Sequence, residues 1–200
     1  MNYTGPKVRL SRKTNIIITP KAGKVMQKKP YPPGVHGQTK RKGKTSDYGR
    51  QLMEKQRLRL QYNISEKQMG KSYTKAAHML GNTGEILVQL LETRLDAFVY
   101  RAGFAPTIYA ARQFVNHGHF RVNGKKMDIP SYHVNVNDVV TLKERSRNIP
   151  IFVEAIRNIH APEYIEVTKN DYSAKLAYIP SRDEVQVVCE VPLVVEFYSR

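Results

Sequence analysis

Between Thr107 and Leu142 the hydrophobic period changes from that of a helix to that of a strand, and this constrains the fold more than any other feature of the chain. Ile108, Ala111, Phe114 and Val115 share one face at helical spacing, with Thr107 placed to cap the start. His117-Gly118-His119 is the exit. Phe120 to Val122 and Lys125 to Ile129 then flank Asn123-Gly124, a pair that accepts the positive φ values of a type I′ turn. A two-residue turn sets the register. Phe120 falls opposite Met127 and toward the core, Arg121 opposite Lys126 on the other side, and His119 opposite Asp128. Pro130 breaks the second strand. Val134, Val136 and Val139 to Leu142 predict further strands, turned by Asn137-Asp138. A helix that must bury its stripe against such a sheet gives an α+β fold.

The same stretch carries candidate chemistry. Thr93 and Asp96 read as a capping box, Leu95, Phe98, Val99 and Ala102 as a buried stripe, and Gly103 as the stop. On the next helix Tyr109, Arg112, Gln113 and Asn116 face away from the apolar stripe. A cation, two amides and an aromatic ring suit an RNA backbone and its sugars, although for one helix alone an ordinary solvated face explains them better. The hairpin adds cations, Arg121 and Lys126, beside that face. A helix pair on a small sheet with one shared basic face predicts a module that reads folded RNA, not a helix for the major groove of DNA.

Charge is concentrated elsewhere. The chain carries a formal net charge of +16, and residues 1–50 hold 13 basic groups against a single acid, Asp47. Such asymmetry predicts an arm that seeks a polyanion. Residues 1–45 show little apolar periodicity beyond Ile16-Ile17-Ile18. Pro30, Pro32 and Pro33 forbid a regular helix around Tyr31, which is available to stack on a base. Lys40, Arg41, Lys42 and Lys44 follow with no apolar residue among them and are expected to meet phosphates. From Ser46 the pattern becomes short amphipathic helices. Tyr48, Leu52 and Leu60 form one stripe, with Arg50, Lys55, Arg57 and Arg59 largely off it. Ser65 and Gln68 form a capping box ahead of Met69, Tyr73, Ala76, Ala77 and Leu80, and Gly81 is the stop. Thr83 opens a helix with Ile86, Leu87, Leu90 and Leu91 on one face. Ile165 to Val167, Leu176 to Ile179 and Leu193 to Phe197 read as strands. The last fifty residues carry 5 basic and 8 acidic groups, as expected of a face turned from RNA or toward a basic neighbour.

Other classes find less support. No apolar run approaches the roughly 20 residues of a membrane helix, no secretory leader is visible, and the arm lacks the apolar face of a membrane anchor. Cys189 is the only cysteine, which rules out an internal disulfide and any zinc site built on two thiolates, and predicts a reduced, cytoplasmic setting. His117 and His119 alone are too few for a metal site. No nucleophile elbow, phosphate loop or catalytic carboxylate pair is present, and no cofactor is expected.

Taken together, Arg94-Leu95-Asp96, Ala111-Arg112-Gln113, Val115-Asn116-His117-Gly118-His119 and Val122-Asn123-Gly124 resemble the small RNA-binding module named after small-subunit ribosomal protein four. The module also occurs in some pseudouridine synthases, tyrosyl-tRNA synthetases and a heat-shock protein. The flanks decide among them. Lys29-Pro30-Tyr31-Pro32-Pro33-Gly34, His36-Gly37, Ser46-Asp47-Tyr48-Gly49, Glu54-Lys55-Gln56, Ile129-Pro130-Ser131-Tyr132 and the ending Val195 to Arg200 resemble the bacterial-type ribosomal protein family over essentially the whole chain.

That resemblance implies a non-catalytic, primary binder of 16S-type RNA. Such a protein grips a multi-helix junction, nucleates the body of the 30S subunit and contributes to translational accuracy. Its neighbours would be small-subunit proteins, chiefly number five, with a functional link to number twelve. The location would be the cytoplasmic ribosome, or an organellar one. An accessory or modification factor bearing the same module is the alternative. The implied organisation is a basic extended RNA-wrapping arm (1–45), a helical subdomain (46–92), the RNA-binding domain (93–180, core motif 94–142) and a C-terminal segment (181–200) returning to the helical subdomain. By resemblance the RNA contacts include Lys29, Tyr31, His36, Tyr48, Arg50 and Lys55 before the module, and Arg94, Arg112, His117, His119 and Lys125 within it. The residue pattern adds Arg57, Tyr109, Gln113, Asn116, Arg121 and Lys126, with the 40–44 cluster. Many relatives fold the arm around zinc with four cysteines. This arm has none, so it is expected to be metal-free and held by RNA. Arg182 to Val191 is more valine-rich than is usual in the family.

Overall fold

A computed structural model describes residues 3–39, 43, 45–157 and 160–199. Its elements, in chain order, are α1 (Lys7–Thr14), α2 (Pro20–Lys28), α3 (Asp47–Gln61), α4 (Glu66–Ala77), α5 (Thr83–Glu92), α6 (Leu95–Arg101), α7 (Ile108–Asn116), β1 (Phe120–Val122), β2 (Lys125–Lys126), β3 (Val139–Leu142), α8 (Glu144–Arg147), α9 (Pro150–Arg157), β4 (Ile165–Thr168), β5 (Ser173–Leu176) and α10 (Val191–Tyr198). They gather into two compact units. One combines residues 1–84 with 187–200, and the other is residues 85–186.

In the first unit the arm is not simply extended, because α1 and α2 occupy most of residues 7–28. The inward face of α1 is built from the small polar residues Ser11 and Thr14, so no apolar period marks it in the sequence. Ser11 Oγ accepts the Ile18 N–H at 3.3 Å, and Thr14 Oγ1 donates to the Leu10 carbonyl at 2.9 Å. Ile16 and Ala22 are buried. Past α2 the backbone is irregular through Thr39, as the prolines require. Gly37 closes that segment so tightly that a Cβ there would stand 1.9 Å from the Pro32 carbonyl oxygen.

Ser46 caps α3 by accepting the Gly49 N–H, and Ser65 and Gln68 form the full capping box of α4. The helix ends at Ala77, leaving Leu80 fully exposed instead of on the buried stripe. The C-terminal segment corrects the sequence reading: residues 193–197 are helical, not a strand. Val191 and Val194 are buried with one-turn spacing, and Pro192 is tolerated because it lies in the first turn, where its missing N–H is no loss. This α10 packs along α3.

The second unit has one antiparallel sheet, in the order β2-β1-β3-β5-β4. Asn123 (φ 49°) and Gly124 (φ 79°) make the expected turn, and Arg121 pairs with Lys126. The second hairpin strand is shorter than Lys125 to Ile129, and Val134 and Val136 form no strand. Val134 instead donates its N–H to the Thr93 carbonyl at 2.7 Å, and Asp138 draws Asn135 into a turn. β5 ends at Leu176, so residues 177–179 lie beyond it. Phe98, Phe104, Phe120 and Phe152 fill the core with Leu95, Leu142 and Leu176. Each such side chain contributes on the order of 1.5–3 kcal/mol on full burial.

Candidate nucleic-acid interface

The exit of α7 is where cations converge. Gly118 (φ 68°) ends the helix, and a Cβ there would stand 2.9 Å from Lys126 Cε and 3.6 Å from Lys143 Nζ. Two lysines therefore close over the helix exit, where the negative end of the helix dipole favours positive charge. His117 is exposed, its ring centroid 6.0 Å from that of half-buried His119. His119 Nδ1 lies 2.8 Å from Ser146 Oγ. Burial pushes its pKa down, and the charges of His117 and Lys143 push the same way. Gln113 and Asn116 are exposed on α7, and Tyr109 is half-buried. Arg121, Lys125 and Lys126 are exposed on the hairpin. Arg121 opposite Lys126 places like charges directly across a strand pair, a destabilising choice in water that a polyanion would reverse. The ion pair of Lys126 with Asp128 at 3.2 Å is well solvated and worth little.

Arg94 and Arg112 do not belong to this exposed set. Asp96 is 1% exposed at its side chain and is held by both guanidinium groups. Arg94 Nε and Nη2 donate to its two oxygens at 3.0 and 2.7 Å, and Arg112 Nη1 donates at 3.2 Å. Asp96 is thus a buried counter-ion rather than a cap. The N-cap residue is Arg94, and Thr93 Oγ1 is engaged with Leu90 and His133 instead. Burial lowers the pKa of Arg112, with Asp96 opposing the shift.

In the first unit the candidates also divide. Lys55 is 5% exposed, donates to Glu66 at 2.8 Å and lies 4.3 Å from the Phe197 ring centroid. It is a packing residue, not a free surface cation. Arg57 is half-buried, donating from Nε to the Thr14 carbonyl at 2.9 Å and also engaging Glu54. Arg50 is exposed and paired with Asp47. Lys29 and His36 are exposed, and exposed Tyr48 has its ring 5.8 Å from that of Phe197. The half-buried Tyr31 has its carbonyl bound by Arg12 Nε at 3.1 Å, and the same guanidinium lies 5.0 Å from its ring centroid. Lys40, Arg41, Lys42 and Lys44 lie outside the described residues.

Two family descriptions match adjoining parts of this chain: a ribosomal protein S4/S9 N-terminal domain matches residues 2–92, and an S4 domain matches residues 93–140. The small ribosomal subunit protein uS4 of Thermobifida fusca is 48% identical over 204 residues, covering 100% of both chains. The chain belongs to the uS4 family. The uS4 of Persephonella marina is 46% identical, covering 98% of each chain, and that of Phytoplasma mali is 46% identical, covering 99% of this chain and 98% of its own.

As a uS4 member this chain has no cysteine in its N-terminal region, though it is not cysteine-free, since Cys189 lies near the other end. Among the described residues no cluster of His, Cys, Asp or Glu could hold a metal ion. The arm has its own tie: Arg12 links α1 to the Tyr31 and Pro32 carbonyls. That residue and Lys143 were missed in the sequence reading. Lys143 follows β3, and its N–H donates to the His119 carbonyl at 2.9 Å. Pairing β1 with Val139 to Leu142 would have placed it beside the helix exit.

Proposed function

We propose that this chain is a structural constituent of the small ribosomal subunit that binds its 16S-type RNA, and that the α7 exit and the β1–β2 hairpin form the specific part of that interface. The reading is non-catalytic, in keeping with the uS4 family. The observation that carries it is the convergence of His117, Lys126 and Lys143 at Gly118, next to the like-charged Arg121–Lys126 pair. Phosphate oxygens relieve that repulsion, while exposed Gln113 and Asn116 supply hydrogen bonds to sugars and bases. The basic arm, with Lys29, Tyr31, His36 and the 40–44 cluster, adds affinity that depends on counterion release. Tyr48 and Arg50 are its continuation on α3. Arg94 and Arg112 support the α6–α7 pair from within through Asp96, and Lys55 and Arg57 do the same for the first unit through Glu66 and the Thr14 carbonyl.

By the same reading the protein is a primary binder of an RNA junction that nucleates the 30S body and contributes to translational accuracy. It acts in the cytoplasm, beside small-subunit protein five and in functional connection with protein twelve. The test is filter binding of the 16S junction RNA across a salt series. Replacing Arg121, Lys125 and Lys126 together by alanine is expected to weaken binding and lower the log–log salt slope by about 2 to 3. Unchanged affinity and slope would refute the interface.

A further inference from the structure

The second unit also holds a cleft of about 790 Å³ between the end of α6, α9 and the segment before β4. Its volume lies within the range of about 300–1,000 Å³ typical of ligand pockets. The walls are apolar and aromatic, from Ile151, Ala155, Pro162 and Tyr100, and Glu154 and Glu184 stand on the rim. Ile151 and Tyr100 are 39% and 38% exposed, so the cleft presents apolar surface to solvent.

Its charge is negative. Arg101 lines the cleft, but its guanidinium is spent on Glu92, with bonds of 2.7 to 3.2 Å, and on the Gln186 carbonyl. His160, also in the lining, is exposed. Glu154 is exposed with no cationic partner in salt-bridge range among the described residues. Glu184 is held by the Ser181 N–H at 2.7 Å and the Tyr178 hydroxyl at 2.8 Å, and the first of these hydrogen bonds keeps its pKa below the usual carboxylate range. A phosphate backbone would be repelled at this rim.

We infer that this acid-rimmed, apolar cleft is a docking site for a basic peptide segment with alternating cationic and aliphatic side chains. Charge complementarity selects the occupant. The carboxylates take Lys or Arg, and the Ile151–Pro162 wall takes the aliphatic residue. A chain of net charge +16 repels a cationic peptide overall, so its binding would rest on these local carboxylates.

The test uses the full chain and a fluorescein-labelled hexapeptide of alternating Arg and Leu, with an alternating Glu and Leu peptide as control. Anisotropy is expected to show saturable binding of the basic peptide, weakening with salt, and none of the acidic one. Glu154→Gln with Glu184→Gln, in which the amide oxygen can still accept from the Ser181 N–H and the NH2 can donate to the Tyr178 hydroxyl oxygen, is expected to weaken binding at least fivefold. Ala155→Arg is expected to abolish it by filling the cleft. Binding of the 16S junction RNA is expected to be unchanged in both variants, so failure here is distinguishable from failure of the RNA reading. Equal binding of the two peptides, or unaltered affinity in both variants, would overturn the inference.

Discussion

Asp96 shows how one buried carboxylate sets the roles of two arginines. With 1% of its side chain exposed and two guanidinium partners, it compensates charges that burial would otherwise make costly. Asp96→Ala leaves Arg94 and Arg112 without that partner and is expected to cost about 3–5 kcal/mol in urea unfolding. Arg112→Ala is expected to lower stability with little change in the salt slope of RNA binding. Lys125→Ala, on the exposed turn, is expected to do the reverse, changing the slope and leaving the urea midpoint in place. Measuring both quantities on both variants separates support from contact. His119 offers a further reading. Burial and nearby positive charge depress its pKa in the folded protein, so the unfolded chain binds more protons in the window below the unperturbed value of about 6.5. Its contribution to stability is therefore complete above that value and is lost as pH falls toward the folded pKa. An NMR titration of the ring is expected to show a midpoint below the unperturbed value, and RNA phosphate at the site would move it upward.

Among the elements, α3 and α10 explain why some of the structure was readable in advance and some was not. The hairpin, the capping box of Ser65 and the stripes of α6 and α7 depend on local chemistry or regular apolar spacing, and these the sequence displays openly. The buried residues of α3 are Gln51, Glu54, Lys55, Leu58 and Leu60; of these only Leu60 belongs to the apolar stripe of the sequence, and the three polar ones look like a solvated face. Its polar groups meet partners outside the helix: Gln51 Nε2 donates to Glu196 at 2.9 Å, Glu54 accepts the Glu190 N–H at 3.1 Å and Lys55 donates to Glu66, while Gln51 Oε1 is buried with no hydrogen-bond partner among the described residues. No local period encodes such pairings. The same distance in sequence hid α10, whose valines and aromatic residues resemble a strand until packing on α3 selects the helix. The exposed part of the candidate interface was visible in the pattern, but the burial of Arg94, Arg112 and Lys55 was not, because each depends on a tertiary partner. Glu66 ties these elements together, accepting from Lys55 at 2.8 Å and from the Tyr198 hydroxyl at 2.7 Å. Burial raises its pKa, but the hydrogen bonds from Lys55 and Tyr198 and the charges of Lys55 and Arg59 outweigh this, and the net shift is downward. Its stabilisation is therefore present above the unfolded carboxylate value of about 4.3 and is lost as pH falls through the lower folded value. Glu66→Gln is expected to flatten the loss of stability on acidification, as followed by circular dichroism.

At the scale of the whole molecule, charge and shape are divided between the units. Residues 85–186 contain 13 basic and 12 acidic residues, so almost all of the net charge of +16 belongs to the unit that contains the arm. The second unit thus owes its candidate interface to arrangement rather than amount, with Lys126 and Lys143 gathered at the exit of α7 and Glu154 and Glu184 at the cleft. Non-specific attraction follows the number of phosphates neutralised, whereas discrimination follows placed contacts. The two properties are therefore expected to separate on dissection. Residues 85–186 have a continuous core around Phe98, Phe120 and Phe152 and are expected to fold alone, with a cooperative urea transition. That fragment is expected to bind the 16S junction RNA more weakly than the full chain and with a shallower salt slope, yet still prefer it to a scrambled RNA of equal length. Deleting residues 1–45 from the full chain is expected to reduce affinity and slope together. It would also lower the stability of the first unit, because Arg57 loses its bond to Thr14 and the buried Ile16 and Ala22 are removed. If the isolated second unit showed no preference between junction and scrambled RNA, recognition would have to come from the arm, and the α7 exit would be a minor anchoring point.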